Sequence, residues 1–193
     1  MAEGAPNKRS VNHDVYNIIK KFFVSSSKDE LKHDLLLPIV IAVFIVNILS
    51  ISGLDILNIF REFNVLIITV MSILAGFNTA SIAIISASNL VNFVNSIDKG
   101  TKSDEEGRDL LNSLTSYFSY AIMLQLFILI GSILASVILK LIDFSIIQTN
   151  FLYLFLMILF FNIWFAVILH SLFITIRNVS ILHNFILFIS KKG

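Results

Sequence analysis

The chain has 193 residues, 56% of them hydrophobic and only 14% charged, with a mean hydropathy of +0.88 and a formal net charge of +1. Soluble domains are nearer half apolar and a quarter charged, so this composition excludes an ordinary soluble globule and points to a polytopic membrane protein. The absence of cysteine excludes disulfides, Cys–zinc sites and thiol chemistry.

The N-terminal segment, 1–34, is too charged to be a cleaved signal peptide with an apolar centre. Within it Val15, Ile18, Ile19, Phe22 and Phe23 recur at helical spacing, flanked by Lys20 and Lys21. This predicts an amphipathic helix, lying either on the membrane surface or against the protein's own cytoplasmic side. Ser27 followed by Glu30 is a capping-box pattern, so a new helix is expected from Lys28 into the first span. Lys20, Lys21, Lys28 and Lys32 are candidates for contact with anionic headgroups or an anionic ligand.

Four apolar stretches follow, at about 35–52, 64–89, 117–141 and 151–175. Each is long enough to cross a hydrocarbon layer, which takes roughly 20 helical residues. Helices are the only fit, because lipid cannot satisfy backbone polar groups and no β-barrel alternation is present. The expected fold is therefore all-α, with a four-helix transmembrane domain over 35–176, a cytoplasmic connector at 90–116 and a C-terminal tail at 177–193. Of the fourteen Lys and Arg residues, twelve fall in the N-terminal segment, the connector and the C-terminal tail. The positive-inside rule then predicts both termini in the cytoplasm. The second helix lacks Pro from Asn64 to Ile97 and is expected to run about 50 Å, past the membrane. The stretch "DKGTKSDEEGRD" carries five acids and three bases, and reads as a turn or loop.

The second span carries the most information. On a helix, Ser72, Gly76, Thr79 and Ala83 form one narrow stripe of small residues, a pattern that lets membrane helices approach closely. Gly131 and Ala135 repeat the motif in the third span. Asn78, Ser81, Ser88 and Asn92 fall on the opposite face, which becomes apolar through Leu74 and Ile67 toward the outer side. Polar side chains at membrane depth face a bundle interior or a water-filled path. A single four-helix bundle could bury both faces, or several copies could surround an axis and line a pore with the polar face. The apolar end would gate such a pore by dewetting.

Enzyme chemistry is not expected. No nucleotide-binding loop, HExxH motif or nucleophile elbow occurs. The string "RNVSILH", from Arg177 to His183, resembles the short signature of HEPN ribonucleases, but Arg177 has an ordinary role as a charge anchor at the membrane edge. No cofactor or metal is expected, and no intramembrane carboxylate suggests an ion-coupled transporter.

The size, the basic N-terminus, the four spans and the "LAGFNTASIAI" second span together resemble the small four-span membrane proteins of bacterial anti-phage operons, such as the membrane components of Hailong and Kiwa. The resemblance implies a homo-oligomer, a tetramer being one candidate, that acts as a channel-type effector. It would depolarise the membrane when a cytoplasmic protein partner or a nucleic-acid-type anionic ligand arrives. The alternative is a non-conducting membrane sensor or scaffold that recruits a soluble partner.

Overall fold

The computed structural model describes residues 11–53, 55–87, 101–141 and 151–190, and side chains over 12–53, 55–87, 112–140 and 151–187. All described secondary structure is helical: α1 (Val11–Ser25), α2 (Lys28–Leu31), α3 (Leu37–Ile51), α4 (Ile56–Ala87), α5 (Thr101–Leu141) and α6 (Phe151–Ser190). A π-helical turn at Lys32–Leu36 joins α2 to α3. Four helical stretches are long and apolar enough to cross a membrane: Lys28–Ile51, Ile56–Ala87, Asn112–Lys140 and Phe151–Leu187.

Local chemistry explains the starts and stops. The Ser27 hydroxyl accepts from the Glu30 amide while the Glu30 carboxylate accepts from the Ser27 amide, the reciprocal cap expected from the sequence. Pro38 follows the π-helical turn inside a helix that runs on from Lys28; it has no N–H for the Asp34 carbonyl one turn back, which bonds to His170 instead. Gly53 turns the chain at a positive φ of 71°, a conformation open to glycine. The Asp55 carboxylate then caps α4 by accepting from the amides of Leu57 and Asn58. The helix thus begins at Ile56, well before the expected Asn64.

The connector also differs from expectation. From Thr101 onward it is helical and continuous with the third span. The residues proposed to carry α4 to Ile97 lie outside the described residues.

Lipid tails are as apolar as leucine, so packing contacts and interhelical hydrogen bonds hold such a bundle together. Four apolar clusters stack along it. Val46, Leu57, Phe60 and Phe161 close the end opposite the termini. Ile67, Met71, Ile128 and Ile168 fill the middle. Phe22, Tyr117, Tyr120, Ala121 and Ile174 follow, and Ile85, Leu114, Phe118, Leu182 and Phe185 pack the end that carries both termini. Gly131 receives the Trp164 ring: a Cβ built there would stand 2.3 Å from the ring edge. Outside, large apolar side chains such as Phe44, Ile73, Phe127, Ile130 and Leu152 are exposed, the surface a lipid-facing bundle presents.

Candidate functional site

Polar groups at membrane depth are gathered inside the bundle in two layers. In the layer nearer the termini, the Asn78 amide donates to the Gln125 side-chain oxygen at 3.1 Å and to the Leu74 carbonyl at 3.1 Å. Gln125 donates to the Thr175 hydroxyl at 2.8 Å, which donates to the Ser171 carbonyl at 2.9 Å. Asn178 donates to the Asn78 oxygen at 3.3 Å. Asn78, Gln125 and Asn178 are fully buried, and this network ties α4, α5 and α6 together. In the second layer, Asn64 donates to the Ser132 carbonyl and the Ser136 hydroxyl, each at 2.7 Å. The Asn64 oxygen and the Ser132 hydroxyl are buried without a hydrogen-bond partner.

An apolar plug separates the layers. Met71 lies seven residues from both Asn64 and Asn78, about 10 Å along α4 in each direction at 1.5 Å per residue. Its side chain is fully buried with Ile67, Ile128 and Ile168. The Ser171 hydroxyl approaches its sulfur at 3.6 Å.

At the terminal end of the upper layer sits a buried ion pair. Arg177 Nη1 lies 2.7 Å from Asp34 Oδ2, and the Asp34 side chain is only 1% exposed. The guanidinium stands 4.6 Å from the Tyr117 ring centroid and 5.0 Å from that of Phe22, within cation–π range. Phe22 stacks on Tyr120 at 3.9 Å. His170 bridges the Tyr120 hydroxyl and the Asp34 carbonyl. His33 holds the other Asp34 oxygen at 3.2 Å. Through Phe22 and the bond from the Tyr117 hydroxyl to the Ser25 carbonyl, α1 is strapped to the same cluster. Ile18 and Ile19 pack there too, while Lys20 and Lys21 are exposed.

Of the two dispositions open to the polar face of α4, the structure has the one inside a single bundle, whereas the small-residue stripe is left outside it. Asn78, Ser81 and Ile67 are buried within one chain, and Leu74 is half-buried. Ser81 donates back to the Phe77 carbonyl. Ser72, Gly76, Thr79 and Ala83 are exposed, and nothing lies within 4 Å of a Cβ at Gly76. The reason is energetic. An unpaired amide in an apolar medium costs several kcal/mol, whereas a small side chain loses little against lipid. Ser72 and Thr79 satisfy their hydroxyls on the carbonyls of Ile68 and Ala75. Gly131 and Ala135 are half-buried, Gly131 against Trp164. Ser88 and Asn92 lie outside the described residues.

Arg177 and His183 do not form a pair: Arg177 is committed to Asp34, and His183 is exposed. Asp34 was not singled out from the sequence. A signal was present, since it is the last acid before the first span and Arg177 is the first base after the fourth. Among the described residues, no group of three or more His, Cys, Asp or Glu side chains could hold a metal ion. No protein-family model, curated protein or solved structure matches the chain.

Proposed function

We infer that the chain is a channel-type effector of the bacterial inner membrane, held shut at rest. A cytoplasmic partner or anionic ligand opens it at the end bearing both termini, and it acts by depolarisation. The observation that carries this reading is the pair of polar layers at membrane depth, separated by the apolar plug of Ile67, Met71, Ile128 and Ile168. Interhelical cohesion accounts for the bonded amides, but it leaves the Asn64 oxygen and the Ser132 hydroxyl buried without a partner, polar atoms that water in a path would satisfy. A dry apolar constriction between wettable layers is how a pore is closed by dewetting.

The path on this reading runs through each chain's own bundle. It does not run around an axis shared by several span-two helices. Copies would associate through the exposed stripe of Ser72, Gly76, Thr79 and Ala83, which is shaped for close helix approach. A setting in anti-phage defence rests on the architectural resemblance.

The test is membrane potential, read by a voltage-sensitive dye in bacteria expressing the chain and its Ile67→Ser/Met71→Ser variant at equal membrane abundance. Wetting the plug makes the variant depolarise without a trigger, while the wild type stays silent. A folded variant that leaves the potential unchanged refutes the channel. One observation favours the second reading, a non-conducting scaffold: the Asn78 amide is already satisfied within a single chain. A silent variant supports that reading.

A further inference from the structure

A groove of about 390 Å³ opens between α3 and α6, walled by Leu35, Ile39, Val43, Leu159, Ile163 and Val167. Its outer walls are open to the membrane phase: Ile39, Val43, Leu159 and Ile163 are each about half exposed. At Leu35 and Ile39 it runs into a second depression, of about 440 Å³, lined also by Lys28, Leu31, Lys32 and Leu36. The two depressions share Leu35 and Ile39 as walls, so the two lysines border the apolar trough.

The dimensions match one leaflet. From Lys32 to Val43 is eleven residues, about 16 Å along the helix at 1.5 Å per residue. Half of a hydrocarbon layer of about 30 Å is about 15 Å. Two polar side chains line the trough among the apolar ones. His170 is held by Tyr120 and by the Asp34 carbonyl, and the Asn162 amide donates to the Ile158 carbonyl, while the Asn162 oxygen is buried without a partner. The apolar walls offer an alkyl chain contact.

The mouth carries the charge. Lys28 and Lys32 are exposed at the edge where headgroups stand. Lys32 lies 3.6 Å from the Asp29 carboxylate, but Asp29 is 95% exposed, and an exposed pair of this kind is easily exchanged for another anion. Glu30 turns away from the mouth, its carboxylate bound to the Ser27 amide. The other nearby acid, Asp34, is buried against Arg177 and His33.

We propose that this groove holds one anionic phospholipid of the leaflet on the side of the termini, an acyl chain between α3 and α6 and the phosphate between Lys28 and Lys32. A zwitterionic phospholipid fits the trough and brings the same phosphate, but its head-group cation is repelled by the two lysines, so the anionic lipid is preferred. The site stands whether or not the chain conducts.

The experiment uses the full chain in nanodiscs of equal parts phosphatidylglycerol and phosphatidylcholine, released and weighed by native mass spectrometry. One phosphatidylglycerol is retained per chain. In Lys28→Ala/Lys32→Ala, the preference for phosphatidylglycerol over phosphatidylcholine falls about tenfold, the weight of a little over one lysine near a charged surface. Ile39→Trp fills the trough from its exposed wall and removes retained lipid of both kinds. Both variants change exposed residues, so the melting temperature stays at the wild-type value. Equal retention of the two lipids by the wild type overturns the proposal, as does an unchanged preference in the lysine variant or unchanged retention in Ile39→Trp. Displacement of the lipid by excess inorganic phosphate also overturns it, in favour of a free-phosphate site.

Discussion

Asp34→Asn removes the carboxylate that, among the described residues, pairs with a guanidinium the bundle has taken out of water. Breaking a buried pair by neutralising one partner costs about 3–5 kcal/mol, because the remaining charge is left without compensation. The cation–π contacts of Arg177 with Phe22 and Tyr117, at 5.0 and 4.6 Å, survive the change and place it toward the lower end of that range. At about 2–4 °C per kcal/mol for a chain of this size, the loss is about 6–20 °C in melting temperature. The assay is thermal unfolding of the detergent-purified chain, run as a double-mutant cycle with Arg177→Met. If the pair is the unit, each single variant falls by at least 6 °C, and the Asp34→Asn/Arg177→Met double falls by much less than their sum. The double variant trades an ion pair for an amide and an apolar chain of similar length, which removes the stranded charge. Single variants within about 2 °C of wild type, or strictly additive losses, would refute the reasoning.

Three further outcomes follow from the same packing. Gly131→Ala drives a methyl into the Trp164 ring and destabilises by about 1–3 kcal/mol, while Trp164→Phe in the same chain restores most of the loss in thermal unfolding. Gln125→Leu removes one interhelical bond from Asn78 and one from Thr175, each of which keeps a bond within its own helix, and costs about 1–3 kcal/mol, whereas Ser72→Ala, whose hydroxyl bonds its own helix, costs under about 0.5 kcal/mol by the same assay. Gly76→Leu/Thr79→Leu leaves the melting temperature of the single chain unchanged, since both positions are exposed. It lowers the oligomer fraction in chemical cross-linking if copies meet along that stripe.

How far the sequence carried depends on the range of each interaction. The four spans were legible because hydropathy is a sum over neighbours, and the Ser27–Glu30 cap because both partners lie within one turn. The two faces of α4 were also legible as faces. Their destinations were not, because periodicity gives the angle between Ser72 and Asn78 and is silent on which side meets another helix. That was decided by Gln125 and Asn178 on other helices, which supply an acceptor and a donor to Asn78. Ile67 was legible as part of an apolar constriction, but its partners Ile128 and Ile168 were not, because they come from other helices. The Asp34–Arg177 pair joins opposite ends of the sequence, so only charge sign and membrane depth hinted at it. The helical start at Thr101 was obscured by the Gly, Ser and Asp content of its first turns, which also suits a loop.

The most direct measurement is ion flux through the purified chain in liposomes, comparing wild type with Ile67→Ser/Met71→Ser under an imposed potassium gradient. A bundle sealed only by its apolar plug gives tight wild-type vesicles and leaky variant vesicles, with the leak abolished when Asn78 and Ser81 are also replaced by leucine. Variant vesicles as tight as those of the wild type, with the protein folded and inserted, would contradict a conduction path through the polar layers.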